Sequence, residues 1–443
     1  MSDDSDSLAD RRGIIRHTND GKRARMSTTG SPPGFTPKAL CLDIETAADD
    51  RLALRKLAAW RPDTGAQLEV TNLTRAGDLA AKLDALTEGA VFVLGHNLVQ
   101  HDLPVLRQHF PHLRLHALPA VDTLILSPIA FPQNPYHSLV KDYKLVRDAR
   151  SSPLQDAQLA LKLWHDQFDA FCALKAHSPQ ELACHHYLLT RDPTLGYGSF
   201  FATVRRAVPP AAGEVRGNLL ELTTGKACAT GAAAVVDDCL ANPSLALPLA
   251  YVLAWLRVSG GNSVLPPWVR LNYPQVRELL RQLRETPCGA PDCAYCRSYL
   301  DPRRELARYF GFDAFRAEPV SAGGGSLQED IVNAAYAGRS ILAILPTGGG
   351  KSICYQLPAL SCHWRSGSLT VIVSPLQSLM KDQVDNLVRQ GIFAAATLNG
   401  MLSMPERRDV LDRTRLGDVG ILLVSPEQFR NPAFAEAIRH REI

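Results

Sequence analysis

Several stretches of this chain alternate or cluster their apolar residues in ways that predict strands running into turns. Lys38-Ala-Leu-Cys-Leu-Asp-Ile-Glu-Thr46 is apolar through Leu42 and then alternates, so a strand here puts Asp43 and Glu45 on one face. Residues 91–108, VFVLGHNLVQHDLPVLRQ, read as a strand, a Gly-His-Asn turn and a helix carrying Asp102. Residues 151–164, SSPLQDAQLALKLW, read as a helix that starts near Pro153 and carries Asp156 in its first turn. Further on, Ser340-Ile-Leu-Ala-Ile344 predicts an apolar strand that opens through a Gly-rich turn onto a helix. Thr370–Val373 predicts a buried strand stopped by Ser-Pro and followed by a helix, and residues 394–399 and 419–424 predict two more short strands. Between these ends, apolar spacing predicts helices over 242–256 and 274–286, and 258–269 reads as a Gly/Pro loop exposing Trp268. The pattern as a whole is α/β.

Composition bounds what such a chain does. The 443 residues suffice for two or three domains, and 46% hydrophobic with 21% charged is ordinary globular balance. Net charge is only +3, so affinity for nucleic acid has to come from local arrangement rather than from bulk charge. No apolar run has the length of a membrane span, so no membrane partner is expected. Residues 1–35 are polar, open with Asp and Ser, and read as a disordered arm; Met26 is an alternative start, with the fold beginning near Pro37.

The most informative run is Leu345-Pro-Thr-Gly-Gly-Gly-Lys-Ser-Ile-Cys-Tyr-Gln-Leu-Pro358. Its glycines let backbone N–H groups curl around an anion. Lys351 can reach the β/γ-phosphates and the Ser352 hydroxyl can hold Mg²⁺. The run resembles motif I of the RecQ family of superfamily 2 DNA helicases. That resemblance implies an ATP site built from Thr347, Gly348, Gly349, Gly350, Lys351 and Ser352, with Lys351 catalytic and ATP and Mg²⁺ as cofactors. Upstream, Tyr309-Phe-Gly-Phe-Asp-Ala-Phe-Arg316 with Gln328 resembles the family's adenine-reading segment, although about ten extra residues separate Arg316 from Gln328. Here an aromatic ring can stack on adenine while Arg316 and Gln328 bond its edge. Thr370-Val-Ile-Val-Ser-Pro-Leu-Gln-Ser-Leu-Met-Lys-Asp-Gln-Val384 resembles motif Ia, with Ser374, Ser378 and Lys381 as candidate DNA-backbone contacts, and Val419–Gln428 resembles motif Ib. The family's Asp-Glu-Ala-His run does not occur in the sequence, nor does a second motor lobe. The expectation is a fragment or interrupted reading frame that binds ATP and DNA without unwinding DNA alone.

The other end carries different chemistry. Two acids side by side on a strand repel unless cations sit between them, which is the logic of two-metal phosphodiester cleavage. Asp43-Ile-Glu45-Thr46 resembles the first motif of the DnaQ-like DEDD exonucleases, and Asn97 with Asp102 and then Asp156 fit the second and third. The resemblance implies a ribonuclease H-like mixed sheet flanked by helices, and Mg²⁺ or Mn²⁺ held by Asp43, Glu45, Asp102 and Asp156. It also implies 3′–5′ cleavage of DNA that is single-stranded or has a single-stranded end. The family's base is His five, or Tyr four, residues before the last Asp; this chain has Ser151 and Ser152 there. His96, His101 and His137 are the alternatives as base, and a domain that binds without cutting is the other outcome.

Ten cysteines in a chain of this kind read as thiols and metal ligands rather than disulfides. Cys288, Cys293 and Cys296, spaced C-x4-C-x2-C in a Gly/Pro turn, can wrap a tetrahedral Zn²⁺. The fourth ligand is open, with Asp301 one candidate. An iron–sulfur cluster wants a fourth cysteine, and Cys228 or Cys239 lies upstream.

The expected layout is an arm at 1–35, a DnaQ-like exonuclease domain at 36–180, a mostly helical connector at 181–300 and part of a RecA-like helicase lobe at 301–443. The resemblances imply a cytoplasmic, nucleoid-associated protein of DNA repair or recombination, in which ATP-driven movement feeds a strand end to a nuclease. The rival readings are an exonuclease with a remnant helicase piece, a non-catalytic DNA-binding protein, and an RNA-directed nuclease–helicase.

Overall fold

A computed structural model describes residues 37–47, 50, 52–71, 78–134, 137, 152–258 and 264–443. The expected arm at 1–35, Met26, Ser151 and the loop residues 259–263 lie outside the described residues.

The chain first forms β1 (Ala39–Thr46), β2 (Leu54–Trp60) and β3 (Gln67–Val70). There follow α1 (Leu79–Thr87), β4 (Phe92–Gly95), a π-turn over Leu98–Asp102, α2 (Leu103–His109), β5 (Ala120–Asp122) and α3 (Thr123–Ala130). The sheet order is β3-β2-β1-β4-β5. β1 to β3 are mutually antiparallel, while β4 runs parallel to β1 and β5 parallel to β4. β1 sits in the middle because both of its faces are apolar. Ala39 and Cys41 join one core, and Leu40, Leu42 and Ile44 join a second on the opposite face.

A helical body covers the first of those cores. It comprises α4 (Pro153–His177), α5 (Pro179–Leu189), α6 (Tyr197–Arg205), α7 (Ala212–Thr223), α8 (Ala229–Ala241), α9 (Ala246–Val258), α10 (Pro267–Asn272), α11 (Gln275–Arg284) and α12 (Ala294–Tyr299). α9 is apolar nearly all round and buried nearly all round, as a helix at the centre of a core must be. One apolar cluster runs from Cys41 and Val121 through Phe171 and Trp255 to Leu283, so packing continues without a break across residue 180. Two local expectations change. The helix expected from 242 begins at 246, because Asn242 caps a 3-10 turn over Pro243–Leu245 first. Trp268 is no exposed loop tip: it lies in α10, half-buried, with its ring edge-on to Tyr273 at 5.7 Å. Among the described residues no single helix is long and apolar enough to cross a membrane.

The last third comprises α13 (Pro302–Phe310), α14 (Leu327–Tyr336), α15 (Lys351–Ser366), β6 (Thr370–Val373), α16 (Gln377–Arg389), β7 (Ala395–Leu398), α17 (Met404–Leu416), β8 (Ile421–Val424) and α18 (Pro432–Ile438). The strands form a parallel sheet in the order β6-β8-β7. β8, Ile-Leu-Leu-Val, is buried along its whole length, as the middle strand of a parallel sheet requires.

The strand expected at Ser340–Ile344 does not form. The segment has no assigned helix or strand, and Leu342 and Ile344 are 90% and 83% exposed. An apolar run becomes a strand only when a neighbour takes its N–H and C=O groups. β6 offers one edge to β8 and makes no ladder with 340–344 among the described residues. For the same reason β6, expected buried, is half-buried along its length and ends on an exposed Val373.

Candidate functional site

The turn before α15 has the form a phosphate loop needs. Gly348 and Gly350 sit at φ +79° and +76°, in the left-handed region where a side chain is strained. Gly350 is also the N-cap of α15, and a Cβ there would collide with Gln328 Nε2. The Gly349 amide closes the turn onto the Pro346 carbonyl at 3.0 Å. Lys351, first in the helix, folds its ammonium over the loop and donates to the carbonyls of Leu345 (2.8 Å) and Pro346 (3.1 Å). Thr347 is exposed, and Ser352 stands half-buried on the helix's first turn.

Arg316 and Gln328 both reach this loop despite the residues between them. Residues 317–325 turn back on themselves: the Ser321 amide donates to Gly325 O (2.7 Å), and the Leu327 amide to Pro319 O (3.0 Å). The Ser326 hydroxyl then donates to Arg316 O (2.6 Å) and accepts from the Glu329 amide, which starts α14. The extra residues are thus absorbed as a closed turn. Arg316 donates its Nη1 to Gly348 O (2.7 Å), and Gln328 its Nε2 to Gly350 O (2.9 Å). Gln328 Oε1 accepts from the Arg316 amide at 3.0 Å. Among the aromatics, Phe315 is buried against Leu306, Val332 and Leu357, and Tyr309 and Phe310 pack beside it. Phe312, 51% exposed, is the ring left over for stacking.

Ser374, Asn399 and Ser425 each follow directly on a strand of the parallel sheet, so all three lie along its carboxyl edge, where such folds bind ligands. The Ser374 amide donates to Val424 O at 3.0 Å. Ser378 and Lys381 are exposed on α16, where Lys381 pairs with Asp385 at 3.0 Å.

At the other end the candidate acids are distributed around β1. Asp43 and Glu45 are half-buried on β1, Asp102 ends the π-turn that packs on β1, and Asp156 lies in the first turn of α4, which also packs on β1. Glu45 is paired with Lys56 on the neighbouring strand at 2.7 Å. Asp102 is 2% exposed; its Oδ1 meets His101 Nδ1 at 2.7 Å, and its Oδ2 is buried without a hydrogen-bond partner. Burial, with the nearby Asp122 charge second, holds the Asp102 carboxyl well above the usual carboxylate range. The ligand atoms of the four acids do not converge into one cluster within 4.8 Å; among the described residues only a cysteine group does.

The three candidate bases separate in this setting. His96 accepts or donates at Thr123 Oγ1 (2.9 Å), faces Asp156, and is pushed down to about 4 by burial. His137 is buried next to it and is likewise pushed down to about 4 by burial. His101 is the half-exposed one, held between Asp102 and Thr46 Oγ1 (3.5 Å). Ser152 is spent elsewhere: its hydroxyl caps α4 by accepting from the Leu154 amide and donates to Glu69. The chain pattern gave no role to Asp122. It is the bracket of the Gly-His-Asn turn, accepting from the amides of Asn97, Val99 and Leu124 at 2.9 Å each, while burial pushes it up to about 6. Its place at a strand end just before a helix was the available signal.

The cysteine trio gains a fourth member. Cys228, at the start of α8, joins Cys288, Cys293 and Cys296 with all four sulfurs within 4.8 Å of one another. Asp301 instead caps α13, accepting from the Arg303 amide, and Cys239 is buried in the apolar core.

Residues 326–442 match the family model for the DEAD/DEAH box helicase. The chain is 38% identical over 137 residues to the probable ATP-dependent DNA helicase RecS of Bacillus subtilis (strain 168), covering 31% of this chain and 25% of that protein. It is 38% identical over 138 residues to the ATP-dependent DNA helicase RecQ of Pasteurella multocida (31% and 20%), and 47% identical over 100 residues to ATP-dependent DNA helicase Q4 of Mus musculus (23% and 8%). The chain therefore spans a quarter or less of the length of these relatives. The similarity to DEAD/DEAH box helicases thus lies at residues 326–442, and these relatives are ATP-dependent DNA helicases.

Proposed function

We propose that residues 301–443 form the ATP-binding part of a RecQ-like DNA helicase lobe, and that the protein acts in DNA repair or recombination. One observation carries this reading: Arg316 and Gln328, the residues suited to an adenine edge, are bonded to the carbonyls of Gly348 and Gly350 in the phosphate loop. Base recognition and phosphate recognition thus share one rigid frame. Lys351 rests on two loop carbonyls that a phosphate group replaces as its partner. Ser352 would hold Mg²⁺ against the phosphates. Ser374, Ser378 and Lys381 supply backbone contacts to DNA from the carboxyl edge of the sheet. Binding of ATP and DNA is the activity proposed for these residues. The test is equilibrium binding of a fluorescent ATP analogue with Mg²⁺. Expected are competition by ATP but not GTP, and at least tenfold weaker binding in Lys351→Ala. Equal competition by GTP, or no binding by the wild type, overturns the reading.

A second reading concerns the N-terminal third, proposed as a metal-dependent 3′–5′ exonuclease domain. It is supported by the mixed sheet with β1 at its centre and by four acids on elements that touch β1. The buried, unpartnered Oδ2 of Asp102 fits a cation, whereas Glu45 must first leave Lys56. Mg²⁺ or Mn²⁺ held by Asp43, Glu45, Asp102 and Asp156 would activate water and steady the leaving oxygen. With Ser152 committed to a helix cap, His101 is the proposed base: it is partly exposed, and Asp102 fixes its ring through Nδ1. Shortening of end-labelled single-stranded DNA by the wild type, lost in both Asp43→Ala and His101→Ala, is the expected result. No shortening by the wild type leaves a DNA-binding module in its place.

A further inference from the structure

We propose that Cys228, Cys288, Cys293 and Cys296 bind one Zn²⁺ as a closed tetrahedral site, and that the ion locks the helical body onto the helix carrying the phosphate loop. Four thiolates around Zn²⁺ at ~2.3 Å form a tetrahedron with edges of ~3.8 Å. The separations here are 3.9 Å for Cys228–Cys293 and 3.7 Å for Cys288–Cys296, with no pair beyond 4.8 Å. A [4Fe–4S] cluster spreads four cysteines over four irons and a [2Fe–2S] cluster spreads them over two, so both hold some of the sulfurs farther apart than these four are gathered. With four protein ligands there is no open position for water or substrate, so the site is structural rather than catalytic.

The frame around the sulfurs is that of a built site. The ligands come from two distant parts of the chain, the start of α8 and the turn running into α12. The Cys228 amide donates to Leu283 O at 2.9 Å, joining the start of α8 to the end of α11. Gly231 passes so close to that helix that a Cβ would sit 2.9 Å from Gln282 O.

From the cysteines a short chain of contacts leads to the nucleotide site. Tyr295, between two of the ligands, is buried and donates its hydroxyl to Arg284 O at 3.1 Å. The Arg284 guanidinium lies 4.4 Å over the Trp364 ring and donates to Trp364 O at 3.1 Å. Tyr299, at the end of α12, stacks on Trp364 with ring centroids 4.3 Å apart and only 14° from parallel. Trp364 is near the end of α15, whose first residue is Lys351. Fixing the turn 288–296 therefore fixes the far end of the phosphate-loop helix against the body.

The test uses the full chain. Metal analysis and absorption spectra are expected to show one zinc per chain with no iron–sulfide absorption. Co²⁺ substitution is expected to give the visible bands of a tetrahedral tetrathiolate. Cys228→Ser should lose the metal, while Cys172→Ser, an exposed cysteine outside the group, keeps it. Because Cys228→Ser can fail to fold, the second measurement is hydrogen exchange of the wild type before and after a chelator. Exchange in 284–299 and 360–366 should quicken at least tenfold, with β1 unchanged. Absence of metal, iron with sulfide, or full zinc retention in a folded Cys228→Ser overturns the site. Unchanged exchange after zinc removal overturns the lock.

Discussion

The Gln328 side chain donates to the Gly350 carbonyl at 2.9 Å while accepting from the Arg316 amide at 3.0 Å, so the residue proposed to read the base also braces the phosphate loop. Two hydrogen bonds of about 1 kcal/mol each are at stake. Gln328→Ala should therefore weaken ATP binding about tenfold or more, and Gln328→Glu, which keeps the acceptor and loses the donor, should also weaken it. ATP titrations of both variants at one Mg²⁺ concentration check this; wild-type affinity in both rules out the brace.

Gly350→Ala should cost more than its size indicates. Its φ of +76° adds about 1–2 kcal/mol of strain for any side chain, and the new Cβ collides with Gln328 Nε2. ATP binding should fall by more than tenfold. Gly323→Ala, in the turn between Arg316 and Gln328 with nothing nearer than 3.8 Å, should bind normally. Equal effects of the two variants refute the account.

Arg284 is 1% exposed and lies 4.4 Å from the Trp364 ring and 5.3 Å from that of Trp255. Arg284→Ala leaves a hole between two aromatic rings and should lower stability by about 2–4 kcal/mol in urea unfolding. Arg284→Lys should recover little, because an ammonium cannot stack flat on indole. Full recovery by lysine shows that only charge mattered.

Acid should destabilise the fold. His96 and His363 are both pushed down to about 4, chiefly by burial. An unfolded histidine takes its proton near pH 6.5, so between about 6.5 and 4 the unfolded chain binds more protons and stability falls as pH falls. Asp122 opposes this: raised to about 6 by burial, it is protonated in the folded state where the unfolded chain has lost its proton, so its contribution rises as pH falls from about 6 to 4. In Tm measurements from pH 7 to 4, His363→Gln should flatten the decline and Asp122→Asn should steepen it. A wild-type Tm that does not move over this range refutes the assignment.

The 443-residue polypeptide should self-associate. Leu342 and Ile344 are exposed on a segment without assigned structure, and among the described residues β6 has an unpaired edge in its sheet. The double change Leu342→Lys with Ile344→Lys should shift sedimentation toward monomer. A wild type that is monomeric at high concentration counts against it.

Much of the local structure was legible because it lies in contiguous residues. The turn from Leu345 to Ser352 needs only its own glycines and helix start, and it has the left-handed glycines and the helix beginning at Lys351 that its residues require. Asp43 and Glu45 share a strand, so a two-residue period placed them together. The periodicities of β1, β4, α4 and β8 also carried through, since each has the same apolar neighbours whichever way the rest of the chain closes.

What the order of residues left open depended on which distant segments meet. Cys228 was one of two upstream thiols, and only the packing of α8 against α11 brings it to the trio while burying Cys239 elsewhere. Phe312 and Phe315 are equivalent rings three residues apart, and α14 and α15 decide which one is core. Ser340–Ile344 has a strand's composition, yet among the described residues no strand pairs with it, and it carries no strand assignment. Ser152 stands where a base was sought and became a helix cap, while His101 meets Thr46, distant in the chain, at 3.5 Å. Local patterns set what each segment is able to do; pairing, burial and ligand geometry arise from contacts between segments far apart in the chain, and those exist only once it has closed.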